Sequence, residues 1–322
     1  MRRTTLFLTA CFFCVLNLPL NAQQGIVDKI NEYGKLDRWS VREVRESDIL
    51  GGKTKYLYEF YGNGDTLVSR NPLVKPDDYL WRTNNVLACV AGIYKTNTTV
   101  FPEKRGDGYC ARIETHIEDV EALGIDMHVV CQGAFLLGDL IEPIKSTKDP
   151  MTKVVYGIPF TGFPKALVFD YKAEVGHTTV RGTGFSKLKT LDYPDYPEAV
   201  ILLQKRWEDE NGNLHALRVG TGYERFTVNV PEWKNGHRIE VHYGDITADP
   251  YYRDYMKLDT DPDRAYHAFN RKGKNVPVIE EGWAPQGTEP NYLIVKFLAS
   301  CNDAFHGGVG NILWLDNIRL EM

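Results

Sequence analysis

Around Cys110 apolar and polar side chains alternate more cleanly than elsewhere in the chain. Tyr109, Ala111, Ile113, Thr115 and Ile117 hold one parity, and Arg112, Glu114, His116 and Glu118 hold the other. A repeat of two belongs to an extended chain, so this segment is expected to be a strand with one face on a core and one in water. Alternation or a short apolar run recurs at 55–61, 166–172, 200–207, 214–219, 226–230, 239–243, 292–299 and 312–320. Turn punctuation such as Gly62-Asn63-Gly64-Asp65 and Asn211-Gly212-Asn213 separates these runs. Helical spacing is confined to 26–33, closed by Gly34, and to turns at 251–256 and 264–270. No strand–helix–strand rhythm is visible, so the expectation is an all-β protein, an antiparallel jelly-roll β-sandwich with few short helices. Two stretches, 176–197 and 246–290, read as long excursions from it.

The amino terminus carries a different signal. Arg2 and Arg3 precede an apolar run from Leu6 to Leu20, and Ala22 offers a small residue before Gln23. That order is expected of a secretory leader cleaved near Ala22, and it places the product outside the cytoplasm, in the periplasm or at the cell surface. The run is interrupted by Asn17 and Pro19, and no other segment reaches the roughly 20 apolar residues of a membrane span. Residues 23–75 read as an N-terminal segment of strands joined to the sandwich, and 76–322 as the jelly-roll domain itself. Losing 1–22 removes two of 38 basic residues and none of 43 acidic ones, which moves the formal charge from -5 to -7. With no basic stripe, nucleic acid is excluded as a partner. Cys89, Cys110, Cys131 and Cys301 remain, without zinc-site spacing, and read either as small buried hydrophobes or as one or two bridges.

Three separated segments carry a family resemblance. The run from Gly157 through Pro159, Phe160, Gly162, Phe163 and Pro164 to Leu167, continuing to Asp170-Tyr171-Lys172, resembles the central signature of the "putative carbohydrate metabolism domain" (PCMD) family of secreted bacterial proteins. Upstream, Trp81-Arg82-Thr83-Asn84-Asn85 and the segment from Cys131 to Gly138 are similar to its earlier elements. Downstream, Ser300 to Leu320, with Phe305, Gly308, Gly310, Trp314 and Asp316, is similar to its closing element. The resemblance implies a jelly-roll sandwich shaped like carbohydrate-binding modules and glucanase-like lectins, with an oligo- or polysaccharide as partner.

Sugar recognition needs flat aromatic faces and planar polar groups. The chain has 18 Tyr and 6 Trp, and Trp81, Arg82, Asn85, Trp207 and Trp283 are the candidate sugar-binding residues, each with structural packing as its alternative. Glycoside hydrolysis needs two carboxylates about 5 Å apart for retention, or roughly 6.5–9.5 Å for inversion. Glu114 with Glu118 on one strand, and Asp170 with Glu174 on another, are the candidate pairs, against the reading of a solvated face. A non-catalytic surface or adhesion scaffold is the third reading. Asp259, Asp261 and Asp263 copy the first, third and fifth ligands of a calcium loop, but Arg264 and Asn270 occupy the positions of its glycine and its glutamate. No cofactor is expected beyond a structural calcium there or a cation near Asp316. Asp316 otherwise reads as a bulge residue holding backbone amides. The sequence leaves the sugar and the oligomeric state open.

Overall fold

A computed structural model describes residues 20–322 apart from 62, 63, 73, 74, 77, 123, 124, 147–149 and 185. The expected leader lies outside the described residues except for its last three, which open helix α1, Leu20–Tyr33. Val27 and Ile30 bury one face of this helix in the main core. Gly34 ends it, and its carbonyl accepts a bond from the Ile318 amide at 2.8 Å. A Cβ on Gly34 would stand 1.8 Å from the Ile318 carbonyl oxygen, so only glycine lets the helix end dock on the closing strand.

Seven strands form a closed ring: β1 (Ala134–Leu140), β2 (Val154–Tyr156), β3 (Glu198–Glu208), β4 (Leu214–Arg225), β5 (His267–Phe269), β6 (Asn275–Trp283) and β7 (Tyr292–Leu298). Around the ring the order is β1, β2, β5, β6, β4, β3, β7 and back to β1, the last joint being the pairing of Ala134–Leu136 with Leu298–Lys296. This ring corrects the jelly-roll expectation: the protein is all-β, but it contains a closed seven-stranded barrel and is not a plain sandwich. Nor is it purely antiparallel, since β2 with β5 and β4 with β6 pair in parallel.

Parity decides what each face of the ring touches. On β3, Ala199, Ile201 and Leu203 face outward into the main core, while Val200 and Leu202 face inward. On β7, Leu293, Val295 and Phe297 go outward, and Ile294 goes inward. Both faces of these strands are therefore buried, which accounts for their nearly unbroken apolar sequences. A sheet built from Ile125–Gln132, Gly108–Ala122, Ile312–Glu321, Ala166–Glu174 and Val230–Glu240 lies against the outer wall of the ring. It supplies Ala111, Ile113, Leu167, Phe169, Leu313 and Leu315 to the shared core. Val100–Arg105 pairs along the Gly108–Ala122 strand of this second sheet.

Several smaller expectations shift. Residues 226–229 are the link between two strands rather than a strand, and Val230 opens the next one. Residues 264–270, read as a helical turn, contain β5. The excursion 246–290 supplies β5 and β6, two of the seven ring members. Phe160 is fully buried in the core, whereas Phe163 stays 44% exposed against Tyr243. All four cysteines are free thiols.

Ahead of the ring, Ser40–Arg45 pairs with Thr54–Glu59 in antiparallel and with Thr66–Val68 in parallel fashion. A buried ion quartet fastens this small sheet to the rest. The Arg42 guanidinium donates to both oxygens of Glu142 at 2.7 and 2.9 Å, and Arg82 donates to Glu59 at 3.2 Å. Trp81, with no exposed surface, stacks on Phe135 of β1 with ring centroids 5.1 Å apart. Trp81→Ala should therefore cost about 3–5 kcal/mol, the range for emptying a large aromatic site in a packed core. Denaturant unfolding checks this, and a loss under 1 kcal/mol would show that the indole is not a core element.

Candidate functional site

The residues nominated from sequence fall into four places. Trp81, Arg82 and Asn85 lie inside the protein. Arg82 belongs to the ion quartet, and the Asn85 amide donates to the carbonyls of Tyr58 and Val100 while its oxygen accepts from the amides of Thr99 and Val100. Their polar groups are consumed in tying strands together, and none presents a surface to a ligand.

Glu114, Glu118, Asp170, Glu174 and Asp316 are brought together on the outer face of the second sheet, the side opposite its core residues. Asp170 and Asp316 stand opposite each other on paired strands and share the Nη1 of Arg105 at 2.9 and 2.6 Å. Asp170 also accepts from the Gly236 amide and the Asn317 side chain. Those donors and Arg105 hold it below the usual carboxylate range in spite of its burial, whereas burial raises Asp316. Asp316 bonds the amide of Asn317, whose φ is +50°, so the expected amide-holding role is present and is joined by an arginine that sequence reading missed. The Arg105 guanidinium lies 3.8 Å from the centre of the Trp233 ring, and the Lys172 ammonium 4.4 Å from that of Trp314.

Along the neighbouring strand runs a ladder of alternating charge. Arg112 bonds Glu114, Glu114 lies 3.0 Å from His116 Nδ1, and Glu118 lies 3.7 Å from His116 Nε2. Lys95 reaches Glu118 at 2.5 Å and Glu46 at 3.2 Å. Burial would lower His116, but the two carboxylates raise it to about 9. Burial would likewise raise Glu118, but His116 and Lys95 hold it to about 2. Glu114 is also held below its ordinary value. The Glu114–Glu118 pair is thus ionised and neutralised near pH 7, a set of hydrogen-bond acceptors rather than a proton donor with its partner.

Inside the ring lies a cluster that sequence reading missed. Arg218 on β4 makes a two-pronged pair with Glu280 on β6, whose Oε1 also accepts from Gln204 at 2.6 Å. Gln204 in turn accepts from Arg206 Nε at 2.7 Å. Glu198 accepts from the Tyr223 hydroxyl at 2.9 Å and from Arg225 at 3.1 Å, and lies 3.5 Å from the Lys296 ammonium. Asp259 borders this cluster. Its amide bonds Glu280 at 2.8 Å, its carboxylate is 3.8 Å from Arg218, and its side chain keeps 29% exposure. Burial, reinforced by the Glu280 charge, lifts Asp259 to about 6. Two signals were present in the sequence: Lys296 inside Leu293-Ile294-Val295-Lys296-Phe297-Leu298, and Glu280 two residues after Val278, each a charge at the inward parity of an apolar strand. Asp261 caps the Asp263 amide at 3.0 Å, and among the described residues no group of His, Cys, Asp and Glu is placed to hold a metal ion.

Trp207 ends β3 on the outside of the ring and is 40% exposed. One ring face lies nearly parallel to His215, 16° between planes and 5.5 Å between centres. His215 Nδ1 is 2.7 Å from Glu281 Oε1 without hydrogen-bond geometry, and its Nε2 is 3.6 Å from Asp209. The Asn213 side chain and amide hold the Asp209 carboxyl well below its usual range, so it is ionised. Trp283 is half-buried over Arg218 at 5.6 Å and offers less open ring surface.

No family model and no curated protein matches the chain. Among solved structures it is similar to a "putative glycoside hydrolase" from Bacteroides thetaiotaomicron VPI-5482, with 15% identity over 70% of this chain and a TM-score of 0.41. It spans 58% of the length of that protein. A second similar structure, a "putative glycoside hydrolase" from Bacteroides vulgatus ATCC 8482, shows 14% identity over 83% of this chain and 91% of its own, with a TM-score of 0.42.

The charge ladder has a defined pH signature. The His116 contribution to stability is fully present below about pH 6.5 and drains away as pH rises toward 9. That of Glu118 is full above about 4.5 and is lost as pH falls toward 2. His116→Gln should flatten the decline of the melting temperature between pH 6.5 and 9. Wild-type and variant curves running parallel across that window would show that the ladder carries no charge coupling.

Proposed function

We propose that the protein is an exported carbohydrate-binding protein whose contact surface is centred on Trp207. The supporting observation is the exposed indole laid against His215 between two carboxylates. The ring already has a fixed backing, so little side-chain freedom is lost when a sugar covers its open surface. The apolar C–H face of a pyranose suits such a ring, and Asp209 and Glu281, which flank the His215 imidazole behind it, offer acceptors for hydroxyl groups. On a glycan array, and then by titration calorimetry, the purified protein should bind an oligosaccharide. Trp207→Ala should weaken that binding roughly tenfold, equivalent to about 1.4 kcal/mol, with the melting temperature nearly unchanged. Full affinity in the variant would rule out the platform, and silence toward every plant, host and microbial glycan would rule out the reading altogether.

Hydrolysis is the second reading, and Asp259 is the observation that favours it. A partly exposed carboxyl lifted to about 6 still holds a proton in mildly acidic solution, as a general acid must, and Glu198 supplies a second carboxylate within the same ring. Release of reducing ends should fall as pH rises through about 6 and vanish in Asp259→Asn. Turnover that persists in that variant removes Asp259 from the chemistry.

A further inference from the structure

A cleft of about 350 Å³ opens where three sheets meet, at the lower end of the ~300–1,000 Å³ range of small-molecule sites. Glu46, Leu50 and Lys53 line it from the first small sheet and its turn, Lys55 from Thr54–Glu59, Lys95 from the hairpin strand Ile93–Asn97, and Glu118 to Val120 from the second sheet. Its floor is fixed. Glu46 accepts from the Thr96 amide and hydroxyl at 2.9 and 2.7 Å, and Lys95 is clamped between Glu46 and Glu118.

The charges in this cleft do not cancel evenly. Glu46 and Glu118 share Lys95, Glu118 also faces His116, and Asp119 is paired with His128 at 2.6 Å. Every acid in the lining therefore has a cation. Lys53 and Lys55 are exposed, and among the described residues neither makes an ion pair. What remains uncompensated is a pair of ammonium groups at the rim of a polar, preformed floor, on a chain whose net charge is -5. A fully cationic pocket would suit any polyanion. This one combines two free cations with carboxylate oxygens and a clamped ammonium, which suits a ligand that is both anionic and rich in hydroxyl groups.

We propose that this cleft binds an acidic sugar residue, its carboxylate on Lys53 and Lys55 and its hydroxyls on Glu46, Lys95 and Glu118. The inference deepens the carbohydrate reading and rests on it for the sugar, but it places the charged unit away from Trp207. It names a ligand class that the aromatic platform alone does not select.

Titration calorimetry with tri-galacturonate, its fully methyl-esterified counterpart and inorganic phosphate tests it, using wild type, the Lys53→Ala/Lys55→Ala double variant and Trp207→Ala. The acid trimer should bind more tightly than the ester, weaken as salt is raised, and lose at least tenfold in the double variant. Both lysines are exposed and unpaired, so the melting temperature of that variant should not move. Equal affinity for acid and ester, full affinity in the double variant, or phosphate binding as tightly as the trimer would each overturn the proposal. Neutral-glycan binding that depends on Trp207, with the acid trimer indifferent to the lysines, would sink the cleft alone. Lysine-dependent binding with no effect of Trp207→Ala on any glycan would uphold the cleft and sink the platform.

Discussion

The pairing of Ala134–Leu136 with Leu298–Lys296 is the joint on which the architecture depends. Without it β7 and β1 would lie at opposite ends of an open sheet, and one face of each strand could drain to water. With it the ring has an inside, and every inward side chain must find its partner there. Closure therefore imposes on β3, β4, β6 and β7 a choice between apolar filling and polar groups paired with one another. Both solutions are used. Leu136, Val200, Leu202 and Ile294 fill one part of the interior, and Arg218, Glu280, Gln204 and Arg206 occupy another.

Replacing a buried ion pair with apolar residues is often neutral or stabilising, so the Arg218–Glu280 pair is poor evidence of a stability device. It is better understood through what it does to Asp259, which sits beside it with a route to solvent. Glu280 is kept ionised by Arg218 and its other donors although burial opposes this, and that fixed negative charge helps keep a proton on Asp259. The quartet of Arg42, Glu59, Glu142 and Arg82 does different work. It is sealed from water and joins a small sheet to the strand region after β1, so its charges specify which surfaces dock.

The wet and dry faces of the second sheet were legible in the sequence because its strands have one face in water. Arg112, Glu114, His116 and Glu118 sit outside, and Ala111 and Ile113 inside, as the parity of two requires. The ring was not legible, for a physical reason. β5 has three residues, and β6 carries Glu280 and Asn275 among its apolar positions, so 246–290 has the texture of a loop. Polar residues beside Trp81 misled in the same way. Arg82 and Asn85 are polar because buried carboxylates and backbone groups require partners, and a sequence shows the polarity without showing which demand it meets. Trp207 differs because it lies at a strand end beside Glu208 and Asp209, where the outward parity meets a turn.

Carboxyls that release a proton easily and one that holds it longer give the molecule two chemically distinct surfaces. On the outer sheet, Asp170 and Glu118 are held in their charged forms by arginine, lysine and histidine, so they accept hydrogen bonds across the neutral range. Around the ring interior, Asp259 is held near its midpoint by the opposite balance, burial and a like charge outweighing Arg218. Binding needs the first state, because an acceptor that changes protonation loses its partner. Proton transfer needs the second, because a group that never holds a proton has none to give. The same residue type therefore acquires opposite chemical competence from its neighbours alone, and a carboxylate count in the sequence carries no information about which is which.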